Sequence, residues 1–192
     1  MNKTTRAITL EELRTVLTTM NDGFTYNNVN YRSNDRIASI LLLQANIGLR
    51  IGDMLNLRRI DIIREQERYR LNIIEQKTGK NRYFTVPIEI YNFIMSYCSR
   101  HNISKTARIF QITERAIQKH LKNTCDYLGI GGISTHSFRK FFATSIYINN
   151  DHNIILVQRL LQHSNVNTTN KYINYGDKIL ENAINKHLYL MG

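Results

Sequence analysis

A chain of 192 residues with 42% hydrophobic and 21% charged residues has the make-up of a globular domain able to bury a core. Lys and Arg outnumber Asp and Glu by 26 to 15, a formal charge of +11, which calls for a polyanionic partner: nucleic acid or an anionic membrane face. The membrane is the weaker choice, because the most apolar stretch, 37–45, is too short to span and is followed by Arg50 and Asp53. Residues 1–6 are polar, with no apolar run or small-residue cleavage site behind them, so no signal peptide is read and a cytoplasmic location is expected. Cys98 and Cys125 stand far apart without metal-ligand spacing and read as buried, reduced thiols.

In chain order, Thr9 with Glu12 three residues on forms a capping-box pattern, which predicts a helix to about Thr19. Residues 23–30 are polar and aromatic and read as a loop. The nearly continuous apolar positions of 33–46 predict a helix central to the core, ended by Gly48 and followed by a short helix over 50–57. The clear β signal lies at 68–76 and 82–88, separated by the turn sequence Lys77-Thr78-Gly79-Lys80-Asn81, with a third short strand at 61–63. Beyond the single proline, Pro87, helices are predicted at 89–100, 113–128, 135–148, 154–162, 168–173 and 178–188. The expected fold class is therefore mainly α with a small antiparallel three-stranded β-sheet. With no linker in view, 1–192 reads as a single domain.

Taken singly, the reactive side chains are ordinary. Arg50 at a helix start is a surface cation by default, Lys77 a solvated turn residue, and Tyr172 one of 11 tyrosines. His136 and Arg139 lie three apart and share a helix face, a common arrangement. The combination is far more specific. GLRIGDMLNL (48–57), QKTGK (76–80), THSFRKFFAT (135–144) and LLQHSNVNTTNKY (160–172) resemble, in order and separation, the four boxes of the tyrosine recombinase, or phage integrase, family. The resemblance runs from about Arg6 onward.

That resemblance implies a site-specific recombinase that cuts and rejoins DNA through a 3′-phosphotyrosine, in integration, excision or inversion. Arg50 and Arg139 are its guanidinium pair. His163 is a further donor, His136 the group that takes or holds the tyrosine proton, Lys77 the acid for the leaving 5′ oxygen, and Tyr172 the nucleophile. Lys80 on the same turn is the competing acid. The chemistry is consistent with these roles: forked guanidiniums suit the charge that gathers on non-bridging oxygens in a pentavalent transition state. With that charge met, and no His/Cys/Asp cluster at ligand spacing, neither a metal nor any other cofactor is expected. Asp53 matches an acidic position of the first box and is expected either to orient Arg50 or His136 or to be a plain helix-surface carboxylate. Lys80, Arg82 and Lys140 are expected to bind DNA. Gln162 stands where the family usually has glycine, so a slightly altered turn is expected. Phe138 replaces leucine, and Lys140 a histidine common in the family.

The resemblance also implies double-stranded DNA as partner and a homotetramer on paired sites, weakly associating or monomeric without DNA. The apolar stripe Ile179, Ala183, Ile184 and Leu188 would pass between protomers. The family's N-terminal core-binding domain is not found in the chain. Two rival readings stay open: an enzyme resembling type IB topoisomerases or telomere resolvases, and a catalytically silent DNA-binding module of the same fold.

Overall fold

The caps read from the sequence set the helix boundaries in the computed structural model, which describes residues 5–173. Thr9 caps α1 (Leu10–Asp22): its Oγ1 accepts from the Glu12 amide at 3.2 Å, and Glu12 Oε2 accepts from the Thr9 amide at 2.9 Å. Arg6 fixes the same Glu12 in a forked pair at 2.5 and 2.7 Å, tying the incoming chain to the helix start. Helix α2 (Asp35–Ile47) is the central core element, with Ile37, Ile40, Leu41, Leu43 and Ile47 all buried, and packs on both α1 and the later helix Thr135–Asn149.

Residues 23–30, expected as a loop, instead contribute to a two-stranded hairpin of β1 (Phe24–Tyr26) and β2 (Val29–Tyr31). Asn27 and Asn28 take positive φ of 49° and 60° at its turn, a conformation asparagine tolerates better than most residues. Phe24 stacks on Tyr31 with ring centroids 4.6 Å apart, so the aromatic residues close the hairpin.

After α3 (Ile51–Asn56) and a short 3-10 turn, β3 (Ile62–Glu65), β4 (Arg68–Ile74) and β5 (Asn81–Val86) form the expected antiparallel sheet in that order. The predicted third strand is real, begins at Ile62 and runs to Glu65. Pairing of Ile73 with Arg82 and of Leu71 with Phe84 puts those residues on one face of the sheet. The rest is helical: α4 (Ile88–Arg100), α5 (Glu114–Tyr127), α6 (Thr135–Asn149), α7 (Ile154–Leu161) and α8 (Val166–Asn170). The stripe at 178–188 lies outside the described residues. Cys98 and Cys125 are free and buried, and burial pushes the Cys125 thiol up to about 12.

Gly48 ends α2 in the left-handed conformation, with φ 63°. An added Cβ there would lie 2.3 Å from the Phe142 ring. Gly48→Ala therefore combines an αL penalty with overpacking and is expected to cost about 2–4 kcal/mol. The drop in urea midpoint measures it; a midpoint within error of wild type would show that the α2–α6 contact yields freely.

Candidate active site

Arg139 gathers the site. It is fully buried on α6. Its Nη1 donates to the Gly48 carbonyl, at the end of α2 and two residues before Arg50. Its Nη2 donates to the Leu161 carbonyl at 3.0 Å, at the end of α7 and two residues before His163, and lies 3.5 Å from His163 Nε2. One planar fork thus draws three separate stretches of chain together. Burial first, then the charges of Arg82 and Arg50, lower the Arg139 pKa to about 10, so it stays a cation at neutral pH.

Arg50 is the N-cap residue of α3 and keeps some exposure, 18% of its side chain. Its Nη1 donates to Glu75 Oε2 at 2.5 Å. Glu75, fully buried where β4 runs into the turn, also accepts from Arg82 Nη1 at 3.1 Å on its other oxygen. Burial alone would raise the Glu75 carboxyl; Thr78, Arg50 and Arg82 outweigh it and hold the pKa below the ordinary value. Arg82, expected to bind DNA, is only 2% exposed and bonds Glu75 and the Ile47 carbonyl, so it is an internal counter-charge. Its alternation with Phe84 and Val86 on β5 turns it inward.

Asp53 is buried rather than a helix-surface carboxylate. The residue it holds is neither Arg50 nor His136: Oδ1 accepts from the Gln76 amide at 2.9 Å, pinning the β4–β5 turn to α3. The carboxylate partner of Arg50 is Glu75. Lys77 and Lys80 are both exposed on that turn, and among the described residues nothing bonds either ammonium group. They differ in neighbourhood: the Lys77 charge is felt at His136, whereas Lys80 lines a cleft with His163, Gln158, Arg159 and Gln162.

His163 is buried, with Nδ1 3.1 Å from Thr169 Oγ1. Burial, then Arg139 and Arg50, lower its pKa to about 4, leaving the ring neutral at pH 7. His136, in the first turn of α6, presents an exposed side chain; neighbouring protein still desolvates the ring and, with Arg139, lowers its pKa. Tyr172 is half-buried, its ring centroid 4.9 Å from that of His163 and 5.8 Å from the Arg139 guanidinium carbon. Thr144 Oγ1 donates to the Tyr172 carbonyl at 3.2 Å, fixing the segment against α6.

The departures from the family pattern resolve individually. Gln162 caps α7 with φ 55°, the left-handed conformation a glycine takes without strain, and its Nε2 donates to the Asn81 carbonyl at 2.7 Å. Phe138 is fully buried, and Lys140 donates from Nζ to the Thr5 carbonyl. The sequence reading did not single out Glu75, Thr169 or Thr144. For Glu75 a signal exists: it shares strand parity with Leu71 and Ile73, and an inward carboxylate requires a cation.

The fold has known counterparts. The fold is that of tyrosine recombinase catalytic domains. The XerH site-specific recombinase in its post-cleavage complex with palindromic difH substrate matches with a TM-score of 0.74 at 22% identity, over 95% of this chain and 53% of that one. The catalytic domain of bacteriophage HP1 integrase matches with a TM-score of 0.65 at 18% identity, covering 94% of each chain. Residues 6–178 match the Phage integrase family, and the chain belongs to it. Among its relatives are the "Probable integrase/recombinase" of Acholeplasma phage L2, 30% identical over 88% of this chain, and the tyrosine recombinase XerC of Caldanaerobacter subterraneus subsp. tengcongensis, 27% identical over 94%. The chain spans 57% and 50% of the lengths of those two proteins.

Proposed function

We propose that this chain is the catalytic part of a site-specific recombinase that cuts and rejoins double-stranded DNA with Tyr172 as nucleophile. The observation that carries the reading is the convergence on Arg139, which lies between the Arg50 and His163 stretches with the Tyr172 ring close by. In the first step the Tyr172 oxygen bonds to phosphorus as the bond from phosphorus to the 5′ oxygen breaks. The tyrosine proton passes toward His136, whose lowered pKa leaves it neutral and able to accept. Lys77 supplies a proton to the departing oxygen. Arg50, Arg139 and His163 meet the charge on the non-bridging oxygens. Arg139 is fully buried, so its engagement calls for its cover, which includes the Tyr172 ring, to shift. One phosphodiester is exchanged for another, so rejoining by the reverse step needs no energy input.

DNA as partner is supported by the +11 charge and by the XerH complex with difH substrate. A homotetramer on paired sites, weakly associating or monomeric without DNA, fits this chemistry, in which two strand exchanges require two pairs of nucleophiles. The decisive test is incubation with nicked suicide duplexes carrying randomised arms. A covalent complex that survives SDS, with one preferred cut sequence, supports the recombinase. Relaxation of plasmids without site preference favours a topoisomerase-like enzyme, and binding without any adduct favours a silent module.

Cleavage is expected to persist in excess EDTA, because guanidiniums meet the charge a metal would offset. Adduct yield measured with and without chelator checks this. Loss of the adduct, restored by magnesium, would remove the guanidiniums from that role.

A further inference from the structure

Among the described residues, Glu75 is the one buried carboxylate that bonds both Arg50 and the turn bearing Lys77. A buried acid opposite a buried Arg82 would ordinarily need no further explanation. Only Oε1 serves that pair, however, at 3.1 Å. Oε2 accepts from Arg50 Nη1 at 2.5 Å and from Thr78 Oγ1 at 2.8 Å. The same residue closes the turn through its backbone: its amide donates to the Lys80 carbonyl, and its carbonyl accepts from the Gly79 amide, both at 2.9 Å. Lys77 sits within that closed turn, between two residues that share a single oxygen with Arg50. Asp53 holds the turn from the α3 side through the Gln76 amide.

We propose that Glu75 is a positioning residue that sets the proton-donating Lys77 turn against the phosphate-binding Arg50, so that charge stabilisation and leaving-group protonation act at one distance. The inference rests on the reading under Proposed function. In the step concerned, the Lys77 ammonium gives its proton to the 5′ oxygen as the bond from phosphorus to that oxygen breaks. Misplacing the turn damages this transfer and leaves attack by Tyr172 less affected.

The test compares two nicked duplexes on the cut site found with the randomised pool, one with the natural 5′ oxygen and one with sulfur at that bridging position. Sulfur leaves as a thiolate with little need of an acid. Lys77→Ala sets the scale for a pure acid defect, expected to slow the oxygen substrate about 100-fold or more and the sulfur substrate little. Glu75→Gln and Thr78→Val are expected to slow the oxygen substrate at least about tenfold more than the sulfur one, as misplacement of a reacting group does. Equal slowing of both substrates in both variants overturns the proposal, because general loss of structure depresses the two alike. Should Glu75→Gln fail to fold, Thr78→Val decides alone, since Thr78 lies on the exposed side of the turn. Failure of wild type to form an adduct with either substrate overturns the underlying recombinase reading, and this inference with it.

Discussion

Tyr172→Phe is expected to abolish the covalent DNA adduct while leaving DNA affinity within about tenfold of wild type. The change removes one oxygen from a half-buried ring that packs against the buried cluster of Ala143, Tyr147, Val157, Leu161 and Ile173, so neither the fold nor the ring position should alter. A single hydroxyl hydrogen bond contributes about 0.5–1.5 kcal/mol net, which bounds the effect on binding. Affinity for a duplex comes mainly from cations facing phosphates and carries a steep salt dependence, which the variant should keep. Covalent bond formation has no substitute for the lost oxygen. Gel-shift titrations at two salt concentrations, run beside SDS trapping on the same duplex, separate the two quantities. An adduct in the Phe variant would move the nucleophile elsewhere, with Tyr175 the next tyrosine along the chain.

How far the sequence discloses this molecule depends on whether a feature is local. The Thr9 box and the Gly48 stop are short-range hydrogen-bonding patterns, and each stands where the residues place it. The three-stranded sheet is likewise legible from its turn chemistry and alternation. The hairpin at Phe24–Tyr31 is hidden because its turn is Asn-Asn, without glycine, and its strands are only three residues long. The four boxes disclose the candidate site residues through resemblance. They leave open what holds Arg50, because Glu75 lies 25 residues away on another element. The place of Asp53 in the box leaves two readings open, an orienting role and a helix-surface carboxylate. Asp53 Oδ1 accepts from the Gln76 backbone amide, a group that side-chain identities do not reveal. Arg82 is expected among the DNA contacts. The alternation of β5 already turned it inward, and parity was the better guide.

The same distinction between local and assembled features makes Arg139 the most consequential single position. Arg139→Lys keeps the charge and the helix, yet a lone ammonium has no planar fork to satisfy the Gly48 and Leu161 carbonyls together. At least one buried carbonyl then loses its donor, at about 1–3 kcal/mol, and the hold of α6 on the stretches bearing Arg50 and His163 slackens. At about 2–4 °C per kcal/mol for a domain of this size, the melting temperature should fall by about 2–12 °C. The chemical loss should be larger than that, since removing one preorganised donor to a developing oxyanion costs about 10²–10³ in rate. The shift of His163 adds to it, because its Nε2 lies 3.5 Å from the Arg139 fork and loses that neighbour. Measuring adduct formation well below the lowered melting temperature separates the two effects. A variant that is less stable but cleaves at the wild-type rate would make Arg139 a scaffold for the site and leave the phosphate to Arg50 and His163. The expected outcome is a folded protein that binds DNA and forms adduct at least about a hundredfold more slowly.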